Sequence, residues 1–233
     1  MKLTTKIVLS ISIILLIISL VIVSYTHNPY IASDAMYDAL TVTDYTETSE
    51  TYQFSDEANT QEIIIIPGGL VDASAYLYLG SELFTYGYDV TIIKPPFYLA
   101  IISPNQAKQY ISSDKETILI GHSLGGVVAG SIASSEDVES LVLLASYATN
   151  DVTDMPVLSI RGSNDLILDS KAYNDNFEQF STAKEVVLDG GNHSQFGWYG
   201  HQKGDGEATL TPKQQQDLII NEIITFLGGN YDN

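Results

Sequence analysis

Residues 117–131 read TILIGHSLGGVVAGS, and an extended run meets a helical one inside that stretch. Thr117-Ile118-Leu119-Ile120 is β-branched and apolar on consecutive residues, the composition of a strand covered on both faces. Val127 to Ser131 is a small-residue helix. Between them lies Gly121-His122-Ser123-Leu124-Gly125, a G-x-S-x-G pattern in a strand-to-helix setting. A sharp turn there pushes the Ser123 hydroxyl clear of the sheet, and glycine two residues to each side tolerates the crowding. The helix that follows aims its first N–H groups, and its positive dipole end, at any anion forming beside the serine. Ser123 is therefore the candidate nucleophile and the Leu124 N–H a candidate oxyanion donor. The competing reading is an ordinary glycine turn.

Further strands read outward from this one: Glu62–Ile66, Tyr88–Ile93, Val138–Leu144, Val157–Ile160 and Glu185–Leu188. They alternate with helical segments, as in a parallel sheet with crossover helices, so the expected fold class is α/β in three layers. A helix is expected from about Ala73 to Tyr86, ending near Gly87, and another from Ser103-Pro104 to about Ser112. The last is the best defined. Thr211 as N-cap, Pro212 at the first position and Gln214 form a capping box, and Gly228-Gly229 stop the helix. Residues 27–60 read as tether, in which Leu40 and Val42, then Tyr52 and Phe54, suggest a two-stranded antiparallel start to the sheet. Residues 61–233 form the catalytic domain.

A nucleophilic serine needs a base, and His193 follows two glycines just beyond the strand ending at Leu188. His201 is the rival, further from any strand end; His122 lies inside the turn and His27 in the tether. The base needs an orienting carboxylate. Asp165 stands after the strand 157–160, with Asp169 and Asp154 as alternatives, and the order Ser, Asp, His favours Asp165. A second oxyanion donor is expected from the loop Pro67-Gly68-Gly69-Leu70, at either Gly69 or Leu70. Only Ser146 to Pro156 link two parallel strands, which leaves no room for a lid domain there. Pro95 to Leu99 is the candidate apolar wall of an open site.

These stretches carry a resemblance. PGGLVDASAY from Pro67, GHSLGG from Gly121, LVLLASY from Leu141, LSIRGSND from Leu158 and GGNHSQFGWYG from Gly190 resemble the small α/β-hydrolase fold-5 proteins. The likeness spans about residues 63–227, and the stretch around His193, running on into Gly204-Asp205-Gly206, is its more distinctive part. It implies an α/β-hydrolase fold and a hydrolase whose substrate it does not name. The expected chemistry is two-step acyl transfer on a small-molecule acyl or ester substrate, with no cofactor. An acyltransferase using the same residues, or a non-catalytic envelope binding module on the same fold, are the alternatives.

Composition narrows the rest. The chain of 233 residues has no cysteine, which excludes disulfides, thiolate zinc sites, cysteine nucleophiles and acylation at a cysteine. The four histidines are scattered and no H-E-x-x-H occurs, so no metal is expected. A net charge of −19, with Arg161 the sole arginine, makes nucleic acid an unsuitable partner. Lys2 and Lys6 precede 17 residues, Ile7 to Val23, that are all Ile, Val or Leu apart from three serines. As a helix this run rises about 26 Å, the short end of a bilayer span. Residues 1–26 are thus read as a membrane anchor, with a cleaved signal segment as the alternative. Positive charge before the run places the N-terminus in the cytoplasm and the catalytic domain outside, or secreted if the segment is removed.

Overall fold

The computed structural model describes residues 28–229 apart from 178–179 and 181–182. Side-chain alternation within its apolar strands sorts the core into two layers. Ile63 and Ile65 face one cluster and Ile64 and Ile66 the other, because successive residues of a strand point to opposite faces. Neighbouring strands repeat the division, with Ile118 and Ile120 on the first side and Leu119 on the second. Runs apolar on every residue are what a sheet covered on both faces requires.

The strands are β1 (Thr46–Glu47), β2 (Thr51–Phe54), β3 (Gln61–Ile66), β4 (Tyr88–Ile93), β5 (Glu116–His122), β6 (Ser140–Leu144), β7 (Val157–Gly162) and β8 (Ala183–Leu188). They form one sheet in the order β1-β2-β4-β3-β5-β6-β7-β8. The β1–β2 and β2–β4 pairs are antiparallel and the remaining pairs parallel. The helices are α1 (Asp34–Asp38), α2 (Leu77–Thr85), α3 (Leu124–Ala133), α4 (Ser170–Phe177) and α5 (Pro212–Phe226). Leu77, Leu79 and Leu83 of α2 and Ile219, Ile220, Ile223 and Ile224 of α5 fill the first cluster; Val128, Ala129 and Ile132 of α3 fill the second. The result is three layers, helix on sheet on helix.

From β3 the chain passes to β4 on one side and then to β5 on the other. Connections leave that point in opposite directions and open a crevice at the strands' C-terminal ends, where ligands of such sheets bind. Ser123 and the loop 67–70 both emerge there.

Local signals were obeyed where they were strong. Thr211 Oγ1 accepts from Gln214 N–H while the Gln214 side chain accepts from Thr211 N–H, completing the capping box, and Gly228 takes φ +84° just past α5. Where they were weak the structure differs. Tyr52 and Phe54 lie in β2, but its hairpin partner is Thr46–Glu47; Leu40 and Val42 instead pack against the core without entering a strand. The helix expected over 103–112 is reduced to a 3-10 turn at Ala107–Tyr110. That stretch has no apolar face long enough to repay ordering a full helix. The link 146–156 between β6 and β7 forms no helix and no lid.

Residues 28–60 pack on the domain along much of their length. Met36 of α1 is buried, and Tyr30 forms a parallel bridge with Val71. No helix among the described residues is long and apolar enough to cross a membrane. The run 7–23, read as a bilayer span, lies outside the described residues.

Candidate active site

Ser123 sits between β5 and α3 at φ +50°, ψ −123°, a left-handed conformation that costs a non-glycine residue of order 1–3 kcal/mol. The surroundings hold it there. Its N–H donates to Leu144 O at 2.9 Å, and its carbonyl accepts from Gly126 N–H at 3.0 Å and Ser146 Oγ at 2.5 Å. The flanking glycines are obligatory: a Cβ on Gly121 would stand 2.4 Å from Gly126 Cα, and one on Gly125 would stand 2.2 Å from Ile66 O. The Ser123 hydroxyl makes no hydrogen bond among the described residues and faces a cavity of about 220 Å³ that His193 also lines.

His193 and Asp165 follow the ends of β8 and β7, five and three residues on. His193 Nδ1 is 2.8 Å from Asp165 Oδ2, and both side chains are 2% exposed. A carboxylate can only accept, so Nδ1 carries a proton, and in the neutral ring Nε2 is the acceptor. The other oxygen, Asp165 Oδ1, accepts from Ile167 N–H at 2.8 Å and Leu168 N–H at 2.9 Å, which fixes the carboxylate plane. Of the rivals, His201 is exposed, Asp154 caps no histidine, and Asp169 lines the cavity but spends Oδ1 on the N–H groups of Lys171 and Ala172. The sequence-nominated Ser123 and His193 thus share one cavity, with Asp165 behind the imidazole. A Ser123–His193 hydrogen bond is not closed, a common state of sites without ligand.

The loop 67–70 divides its N–H groups in a way the sequence left open. Gly68 N–H donates to Tyr76 Oη at 2.9 Å and Leu70 N–H to Tyr98 O at 2.7 Å. Leu70 is therefore not the available donor. Gly69 N–H has no partner among the described residues, and a Cβ there would lie 3.2 Å from Leu124 Cδ2, so it adjoins the residue after Ser123. Leu124 N–H, the first of α3, is likewise unpaired. Gly69 and Leu124 thus keep main-chain N–H groups without a partner among the described residues.

The apolar wall also differs from expectation. Val127, Ala145, Tyr147, Ile167 and Leu168 line the cavity, whereas Pro95 to Tyr98 line a neighbouring hollow of about 460 Å³. Phe97 and Tyr98 take positive φ, which turns that segment outward.

Two supporting groups have roles that the sequence does not assign. Asp205 is buried, and its Oδ1 accepts from His193 N–H at 3.3 Å, Leu166 N–H at 3.4 Å and Gly206 N–H at 2.8 Å, while Oδ2 accepts from Ser194 N–H at 2.8 Å. One carboxylate so ties the histidine loop to the aspartate loop. Its motif, Gly204-Asp205-Gly206, stood out in the sequence without a role. The second is His122, whose Nδ1 is 2.7 Å from Tyr76 Oη. With no other acceptor among the described residues, the phenol proton goes to Nδ1, and Tyr76 links His122 to the Gly68 N–H. Burial, and then the nearby His193, hold His122 well below the ordinary histidine range, so it stays neutral against a ring 4.8 Å away. Among the described residues no three His, Cys, Asp or Glu side chains are grouped to hold a metal.

A serine raised on a strand-to-helix elbow above a mostly parallel sheet is the architecture of an α/β hydrolase. Residues 62–217 match the Alpha/beta hydrolase family, and the chain belongs to that family of enzymes. Solved structures agree in fold. Est1E from Butyrivibrio proteoclasticus aligns at 14% identity and TM-score 0.55, over 79% of this chain and 98% of that one. MGS-MChE2, an alpha/beta hydrolase from a lagoon-sediment metagenome, aligns at 16% and 0.55, over 79% and 99%. A serine hydrolase involved in carbazole degradation aligns at 12% and 0.57, over 79% and 99%. No curated protein matches the chain in sequence.

Proposed function

We propose that the protein is a serine esterase that uses Ser123, His193 and Asp165 as its catalytic triad. The observation that carries this reading is the buried His193–Asp165 pair, which holds the neutral ring's proton on Nδ1 beside the cavity that His193 shares with the strained Ser123. Ser123 Oγ bonds to the ester carbonyl carbon and its proton passes to His193 Nε2. The carbonyl oxygen becomes an anion held by the N–H groups of Leu124 and Gly69, each donor contributing about 3–4 kcal/mol in the transition state. The tetrahedral species then breaks its bond to the alkoxy oxygen, which takes the proton from His193 and leaves as the alcohol. Water repeats the sequence on the acyl-enzyme, releasing the acid and restoring Ser123. Asp165 keeps the imidazole in one tautomer and stabilises its charged form.

A carboxylic ester suits a small, partly apolar cavity with two N–H donors. Est1E, which shares the fold, has a structure with ferulic acid bound. We further propose that residues 7–23 anchor the chain in the cytoplasmic membrane and that the catalytic domain works outside it. The test is turnover of a short p-nitrophenyl ester by the wild type and Ser123→Ala. The variant should lose at least ~10³-fold; an unchanged rate would remove Ser123 from the mechanism.

A further inference from the structure

We propose that the rim of the site rests on the lipid bilayer, and that the ester cleaved is an acyl ester carried by a bilayer lipid. The proposal rests on the esterase reading and names its substrate class.

Eight large apolar side chains are exposed among the described residues, and they are not spread evenly. Five of them, Ile31, Phe97, Ile101, Ile102 and Leu166, are 51–72% exposed and belong to three segments that border the site. Hydrogen bonds tie two of these segments to the loop 67–70. Tyr30 N–H donates to Leu70 O at 2.8 Å on one side of the loop 67–70, and Leu70 N–H donates to Tyr98 O at 2.7 Å on the other. Leu166 follows Asp165 directly. Single exposed apolar residues need no explanation, but a group gathered around one opening marks a surface that something apolar covers. Residues 95–107, PPFYLAIISPNQA, contain no charged side chain in a protein of net charge −19. An anionic headgroup layer would repel the acidic remainder of the surface but not this uncharged stretch.

The occupant follows from where the chain enters the domain. Seven residue steps separate Val23, the end of the apolar run, from Tyr30, which is bridged to Val71 beside the oxyanion loop. Fully extended, seven steps reach only about 25 Å. A domain of some 200 residues has a radius of gyration of about 17 Å and is roughly 40 Å across. With residues 7–23 in the bilayer, the tether is shorter than the domain is wide, so the edge bearing Tyr30 stays near the interface. That is the edge carrying the exposed rim and the open site. The cavity of about 220 Å³ admits the reacting end of a substrate only. A lipid would place its ester there and leave its chain along the rim and in the bilayer.

The test uses the full chain in phosphatidylcholine vesicles, a zwitterionic surface that the acidic protein does not repel. Two esters are compared: water-soluble p-nitrophenyl acetate and a long-chain 4-methylumbelliferyl acyl ester embedded in the vesicles. The triple variant Phe97→Ser/Ile101→Ser/Ile102→Ser touches no residue of the proposed machinery. It should lose about tenfold or more on the embedded ester, since three apolar anchors are removed, and stay near the wild-type rate on the soluble one. Equal rates on the embedded ester would overturn the proposal. Should the triple variant fail on both esters, Ile101→Trp decides the matter: quenching of its fluorescence by brominated lipid supports contact with the bilayer, and no quenching overturns it. Wild-type protein inactive on the soluble ester, or equally active as Ser123→Ala, would instead sink the esterase reading and this proposal with it.

Discussion

Asp165 spends one carboxylate oxygen on two main-chain N–H groups and the other, at 2.8 Å, on His193 Nδ1. The geometry leaves the carboxylate no freedom to serve another partner. Asp165→Asn keeps a carbonyl oxygen for the two N–H groups, so the fold should survive, but the amide can donate to Nδ1 and reverse the tautomer. Ester turnover should fall roughly 10³–10⁴-fold with an unchanged circular dichroism spectrum. A loss under tenfold would count against the assigned role.

Asp205 predicts a different pattern, because it holds main chain and stands behind the histidine. Asp205→Ala leaves the buried N–H groups of His193 and Ser194 without their acceptor. Unfolding in urea should register a loss of about 2–4 kcal/mol, and kcat should fall with little change in KM as the imidazole loses its fixed position. Wild-type stability would show that the loop is held by other contacts.

His122 links folding to pH. Burial, and then the nearby His193, hold its folded-state pKa well below the ordinary histidine range. Below about pH 6.5 the unfolded chain takes up a proton that the folded chain refuses, so this contribution to stability is full above that pH and fades beneath it. Between pH 7.5 and 5.0 the protein should therefore lose stability through this group. In His122→Gln the acid-induced loss should be smaller than in the wild type, read from urea midpoints at the two pH values. An identical loss in both proteins would show that His122 is not the group responsible.

Strand and elbow were legible in sequence because each is specified locally. A β-branched run apolar on every residue has one stable home, a sheet covered on both faces, and Gly121 and Gly125 are demanded by clashes within the turn itself. The capping box of α5 is equally local. Asp205 was not legible as a brace, since its partners are N–H groups up to 39 residues away that every residue but proline possesses. The choice between Gly69 and Leu70 turned on which N–H another segment had already claimed, and only the position of Tyr98 decides that. Pro95 to Leu99 reads as a cavity wall because composition reports apolarity and not direction, whereas Pro95 to Tyr98 line another hollow. The positive φ of Phe97 and Tyr98 sends that segment to the rim.

The central claim concerns one hydroxyl. A fluorophosphonate probe reacts with a serine only when a base takes its proton and donors receive the resulting anion. Incubated with such a probe and digested, the protein should yield a single adduct, on the peptide containing Ser123, that is absent in Ser123→Ala and His193→Ala. An unlabelled Ser123, or equal labelling in the His193 variant, would contradict the account.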